Sequence, residues 1–364
     1  MTAMTLGVMA LYLNGKRIEE LPYFRRLLTE AERMGIDAYL FTPEDVNDGR
    51  RRILAHVYDT RRRAWLRKWR ELPDVVFDRC RYQNTPRFRK LREFRAKYGD
   101  LLYLNRPLAN KWAIHQLLSK DEKIRKWLPD TEAFKPEELG KFTRRHRIVF
   151  VKPVNGTGGR GVICIKRIGK DQYAVRGRDR RRQIISPRVT TLSGVTALLK
   201  HHGLTEKCLI QQGIDLRLPN GRVHDYRMLV QKNGEGEWEV TGCAGRVGPD
   251  RSVTSNIHGG GRAVTMNRLL HETFPDSNKA AAVKSEMESL SLQVVRKLES
   301  HFKDMCELAL DIAVDRKGHL WLLEVNPKPG REVFRQVGER ETYRNAIVRP
   351  LEYAKHLYDN AKEK

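Results

Sequence analysis

The stretch Leu308 to Gly330, LALDIAVDRKGHLWLLEVNPKPG, leaves the chain few ways to fold, because two apolar runs of strand length flank a Lys317–Gly318 pair suited to a two-residue hairpin turn. Counting outward from that turn sets Asp311 directly across from Glu324, with Asn326 two residues further on and on the same face. Two carboxylates facing each other on an apolar hairpin repel and lose hydration, so the arrangement makes sense around a hard cation. Mg²⁺ fits, through the carboxylate and amide oxygens of Asp311, Glu324 and Asn326, with the remaining octahedral positions left to water and nucleotide phosphates. The plainer reading of the same residues is a hairpin with solvent-facing acids.

A second signal is VFVKPVNGTGGRGV, where a strand delivers Lys152 into a loop carrying Gly156, Gly158, Gly159 and Gly161, with Thr157 and Arg160 between them. Such a loop can bring backbone N–H groups close to phosphate oxygens, although its spacing is that of neither the P-loop nor the dinucleotide fingerprint. Lys111, in NRPLANKWAIHQLL, opens a helix, where a lysine stands beside the positive end of the helix dipole; alone, such a residue is usually a surface lysine. The strand KCLIQQGIDL runs into Gln211, Gln212, Gly213 and Ile214, and HDYRMLVQ carries Asp225 and Arg227. GCAGRVGPDRSVTSNIHGGG sets Arg246 and Asn256 ahead of the glycines 259–261. An arginine and an amide beside a mobile glycine turn suit a transferring phosphoryl group or a carboxylate.

Around these motifs the chain divides by pattern. Up to about residue 105, short apolar runs (LGVMALYL, IDAYLFT, LPDVVFDRC) alternate with amphipathic stretches such as Tyr23 to Met34, as in a small α/β unit with a parallel sheet. A helix over Asn110 to Trp127 and a glycine-punctuated, strand-rich segment follow; from Cys208 the reading is mostly strands, then a long helix over Lys279 to Phe302 and the hairpin. The expected units are 1–105, 106–212 and 213–364.

With 364 residues, 40% of them hydrophobic, there is enough chain for two or three packed cores. No apolar run approaches the roughly 18 residues of a membrane span, and no basic leader precedes the first one, so a soluble cytoplasmic protein is expected. The five cysteines are scattered and read as reduced core thiols. The formal net charge of +25 admits a polyanionic partner, nucleic acid included. Alternatively, basic residues such as those in RRRAWLRKWR (61–70) cover solvated helix faces, and GRDRRRQ around Arg180 forms an exposed loop.

Taken in order, these elements resemble the ATP-grasp superfamily, and QQGIDL, HDYRMLVQ, VTSNIHGGG and LLEVNPKPG, together with VVFDR near the start, are similar to its YheC/YheD branch, which is associated with bacterial endospore coats. The resemblance implies an α/β protein: an N-terminal α/β domain, then two α+β lobes (a central one with the phosphate loop, a C-terminal one with the metal site) that hold ATP with two Mg²⁺ ions. It places Lys111, Lys152 and the 156–161 loop on the nucleotide, Gln211 to Ile214 along the adenine edge, and Asp311, Glu324 and Asn326 on the metal positions. Arg246 and Asn256, with Lys152, fall on the positions that stabilise the transferring group, and Arg227, Gly260 and Gly261 are candidate substrate contacts. The hinge departs from the common pattern: Gln212 stands where many relatives have glutamate, which leaves Asp215 as the ribose candidate. The implied chemistry joins a carboxylate to an amine through an acyl phosphate, with an acidic peptide or polymer as one fitting acceptor. Its rivals are an ATP-binding coat protein without ligation and a polyanion binder.

Overall fold

A computed structural model describes residues 3–363 apart from 14, 82–84, 157–158, 251 and 256. The first sheet contains β1 (Thr5–Met9), β2 (Asp37–Phe41), β3 (Val46–Asn47), β4 (Arg52–Asp59), β5 (Ala64–Glu71), β6 (Val75–Asp78) and β7 (Leu102–Leu104), in the order β3-β4-β2-β1-β6-β7 with β5 paired to β4. The run β2-β1-β6-β7 is parallel, as the alternating pattern predicts, whereas β4 and β5 add antiparallel strands at one edge. Helix α1 (Leu21–Arg33) turns Phe24, Leu27, Leu28 and Ala31 onto the sheet, at the spacing of one helical face. Helix α2 (Pro86–Lys97) covers the other side with Leu91 and Phe94.

Two expectations fail in this first region and the next. Arg61 to Arg70 is not a helix face: after a turn it becomes the edge strand β5, in full register with β4. Trp65, Trp69 and the basic residues allow either state, and the neighbouring strand decides. The helix expected over Asn110 to Trp127 is two, α3 (Lys111–Ser119), capped by the Asn110 side chain, and α4 (Glu122–Arg125). Asp121 ends the first and caps the second, its carboxylate accepting from the N–H groups of Lys123 and Ile124.

The second sheet holds β8 (Thr131–Ala133), β9 (Ile148–Pro153), β10 (Val162–Gly169), β11 (Gln172–Arg178), β12 (Ile184–Ile185), β13 (Arg188–Val189) and β14 (Cys208–Gln212), all antiparallel. Helices α5 (Leu139–Arg145) and α6 (Leu192–His201) bury one of its faces. The segment around Arg180 is a turn pinned by the buried Asp179, whose carboxylate accepts from the N–H groups of Arg181 and Gln183.

The third sheet runs β17-β16-β15-β18-β19, from β15 (His224–Lys232), β16 (Trp238–Val247), β17 (Arg262–Thr265), β18 (Glu307–Val314) and β19 (Leu320–Asn326). Helices α7 (Met266–Thr273) and α8 (Ser277–Glu299) pack on it. The short α9 (Glu332–Gln336) and the long α10 (Arg340–Lys362) join its other face to α1, so the end of the chain shares a core with its beginning. No helix among the described residues is long and apolar enough to cross a membrane.

Candidate active site between the second and third sheets

The hairpin turn is wider than the sequence suggests. It spans Asp315 to His319, with the Gly318 N–H donating to the Asp315 carbonyl at 2.9 Å and Gly318 in the left-handed region (φ 92°). Pairing out from this wider turn would put Leu323 across from Asp311. A bulge at Leu323 absorbs one residue, and the ladder resumes with Asp311 opposite Glu324 and Ala309 opposite Asn326. The expected pair is therefore met, through a turn and a bulge that offset each other. The bulge also aims the Leu323 carbonyl at Lys152, whose ammonium donates to it at 3.3 Å and to Gln211 Oε1 at 2.9 Å.

Registers with the adjacent strands complete a charged cluster. Arg227 on β15 lies directly across from Asp311, and its Nε approaches Oδ1 at 2.6 Å. Asp225 lies across from Arg246 on β16, and the pair is bidentate at 2.8 and 2.5 Å; Arg246 Nη2 also reaches Asp311 Oδ2 at 3.0 Å. Lys111, at the first turn of α3, meets Glu324 at 3.3 Å. Four cations thus face three carboxylates.

These contacts set the proton affinities. Burial pushes the Lys152 ammonium down to about 8, Lys111 adds to the effect, and Glu324 and Asp311 oppose it. Burial, then Lys152, lowers His115 to about 4, so this imidazole is neutral. Burial alone would raise Asp311, but Arg227 and Arg246 outweigh it and hold the carboxyl below its ordinary range.

Two cavities meet at Lys152, Gln211, Leu323 and Glu324. One, of about 150 Å³, is a slot between the second and third sheets, walled by Ile148, Phe150, Val162 and Cys164 and closed by the segment 214–217. The other, of about 260 Å³, lies beneath α3 and reaches Cys80 and Arg81 at the end of β6. The PKPG segment holds the first sheet against it: the Lys328 ammonium donates to the carbonyls of Asp78 and Asn105, and Asn105 donates to the Pro327 carbonyl at 2.7 Å. Behind it, Glu307 is fully buried between Arg79 and Arg331.

Of the residues expected at a site, Lys111, Lys152, Gln211, Arg227, Arg246, Asp311 and Glu324 are tied together by these contacts, and Asn326 lines the larger cavity. Gly156 also lines that cavity, while Gly159 and Gly161 have left-handed backbones, which favour glycine, and Arg160 is exposed. Thr157, Gly158 and Asn256 lie outside the described residues. Gln212, Ile214 and Asp215 line the slot, but the Gln212 amide is committed to Asp130: its side-chain oxygen accepts from the Asp130 N–H at 3.1 Å and its own N–H bonds the Asp130 carbonyl at 2.7 Å. Gly260 and Gly261 line neither cavity. Sequence reasoning assigned no role to Asp225, His115 or Phe150; of these, only Asp225 carried a signal, as the acid two residues before Arg227.

A Mg²⁺ ion matches the donor set. Among the described residues no three His, Cys, Asp or Glu cluster, so such an ion would draw on two carboxylates and the amide of Asn326. The Nδ2 of Asn326 is buried without a hydrogen-bond partner, so this amide keeps a free donor suited to an acceptor such as a phosphate oxygen, while its Oδ1 is the atom that would face the ion.

A sequence profile of the YheC/D-like ATP-grasp family matches residues 100–357. The chain belongs to this family. The endospore coat-associated protein YheC of Bacillus subtilis (strain 168) is 27% identical over 367 residues, covering 99% of this chain and 98% of that protein. Among solved structures, the D-alanine-D-alanine ligase from Coxiella burnetii aligns with a TM-score of 0.55 at 11% identity, over 99% of this chain and 98% of that one. D-cycloserine synthetase DcsG aligns at 0.56 with 12% identity, over 98% and 99% of the two chains. At these identities the likeness is one of fold, and this chain has the ATP-grasp fold.

Proposed function

We propose that this ATP-grasp chain is a Mg·ATP-dependent ligase that joins a carboxylate to an amine. The observation that carries the reading is the convergence of Lys111, Lys152, Arg227 and Arg246 with Asp311, Glu324 and Asn326 where an apolar slot opens into a second cavity. In this reading the adenine lies in the slot against Phe150 and Val162, and the phosphates reach the shared rim at Lys152. The N–H groups of Gln212 and Gly213 are already spent on Asp130 and Ile148, so Ile214 offers the free backbone edge. Asp215, on the slot wall, takes the ribose role that Gln212 has given up to Asp130.

Magnesium, held by Asp311, Glu324 and Asn326, would neutralise phosphate charge and polarise the γ-phosphoryl group. The γ-phosphoryl group passes to the substrate carboxylate and ADP leaves; the amine then attacks the acyl phosphate, losing a proton as phosphate departs, and an amide remains. This chain's residues bind and orient: Lys152 and Arg246 hold the charge that develops on the transferring group, and no side chain forms a covalent bond. Asp225 fixes the Arg246 guanidinium by two hydrogen bonds, so the donor is set before substrate arrives.

The name of its relative extends the proposal to association with an endospore coat. One observation favours a second reading, nucleotide binding without ligation: each Asp311 oxygen already lies within 3.0 Å of an arginine nitrogen. ADP release with Mg·ATP across a panel of amino acids, peptides and acidic polymers, with product masses, separates the two. An acceptor-dependent release with a product lighter than its parts by one water is expected; nucleotide binding with no release from any acceptor would establish the second.

A further inference from the structure

We propose that the β4–β5 ribbon is a docking edge for an acidic polypeptide, which adds to β5 as an extended strand. The surplus charge of the first sheet is concentrated here: Arg50 to Arg70 contains nine Lys and Arg against a single Asp. Arg67, Arg70 and Arg52 are spent internally on Asp45, Asp37 and Glu71, and Arg62 stands 3.9 Å from Asp59. Arg50, Arg51, Arg61, Arg63 and Lys68 are exposed and meet no carboxylate among the described residues.

Among the described residues strand β5 pairs with β4 alone, so its outer row of backbone donors and acceptors has no ladder partner; at its end the Glu71 carbonyl accepts from the Tyr39 hydroxyl at 2.7 Å. A lysine on such an edge commonly guards it against self-pairing. The guard is incomplete, because Trp69 beside Lys68 stays 42% exposed on the same edge. An unpaired backbone row, free cations at both ends and an exposed indole together match an extended acidic chain, which pairs its backbone and its charges at once. A nucleic acid would use the cations and leave the backbone row unpaired.

Docking stands apart from the ligase reading; one consequence rests on it. Four strand spacings separate β5 from β6, about 19 Å, which roughly six extended residues cross. A chain docked on β5 can therefore present a residue some six positions away at the cavity by Cys80 and Arg81.

The test uses the full chain and a fluorescent peptide of about twelve residues alternating Glu and Thr, read by anisotropy at low salt of about 50 mM. Binding is expected to weaken at least about tenfold with the Gln-for-Glu peptide, and as much in R61Q/R63Q/K68Q, with a shallower salt dependence. A peptide N-methylated along one edge, its charge unchanged, should weaken by about tenfold as well. No binding at low salt, equal binding of the N-methylated peptide, or an equally tight oligonucleotide of the same charge would each overturn strand addition. Because the readout is binding alone, a chain that docks peptide and ligates nothing would retain this proposal while removing the ligase reading.

Discussion

Replacing Lys152 by Met tests the site through two readouts that move in opposite directions. Keeping this ammonium charged where burial and Lys111 have brought it from 10.5 to about 8 costs the folded state, at neutral pH, up to about 3 kcal/mol relative to the unfolded chain. Because the residue as a whole is only half-buried, screening reduces this to about 2 kcal/mol. The sign follows from the lowered value: between about 8 and 10.5 the unfolded chain binds more protons, so wild-type stability from this group rises with pH through that window and is lost again as pH falls through 8. Methionine abolishes the pH-dependent part and leaves the Gln211 amide oxygen and the Leu323 carbonyl without their donor, at about 1 kcal/mol each. The variant should therefore match or slightly exceed wild type in urea unfolding at pH 7 and fall below it by about 2 kcal/mol at pH 10.5. Its affinity for a fluorescent ATP analogue should drop at least about tenfold at pH 7, since a charge-assisted contact to phosphate is lost. A stability difference that does not change with pH, or unchanged nucleotide affinity, would refute a desolvated lysine facing the phosphates.

Glu324→Ala should lower acceptor-dependent ADP release by at least about 10²-fold, the scale of one well-placed electrostatic group; near-normal turnover would remove the metal assignment. Glu307→Gln leaves Arg79 and Arg331 buried without their shared carboxylate, and a loss of about 3–5 kcal/mol in unfolding free energy is expected by urea titration. Gly213→Ala would press a methyl group to 2.4 Å from Ile148 Cγ2 and 2.9 Å from its carbonyl oxygen, so the hinge must shift. A weaker nucleotide affinity with a melting temperature lowered by several degrees is the expected result, read by titration and thermal unfolding.

How far the site was legible depends on how local each part is. The helix that starts at Lys111 and the strand bearing Lys152 follow from neighbours in the chain, and both are readable there. The Asp311–Glu324 pair was readable for an incomplete reason: the apolar alternation fixes that these strands pair, but neither the five-residue turn nor the bulge at Leu323 announces itself in residue types. The edge strand β5 was misread as helix surface because its aromatic and basic residues suit both periods, and only the full ladder with β4 selects one.

The sequence by itself therefore determined most of the strands and helices and that Asp311, Glu324, Lys152 and Lys111 stand on them; these depend on interactions between near neighbours. Only the tertiary structure decided what those charges face. Arg227 comes to Asp311 and Arg246 to Asp225 through strand registers, and Lys152 finds the Leu323 carbonyl 171 residues away. Such pairings are set by the packing of one sheet on another, where burial strengthens each charge's dependence on its partners, and no local pattern encodes that dependence.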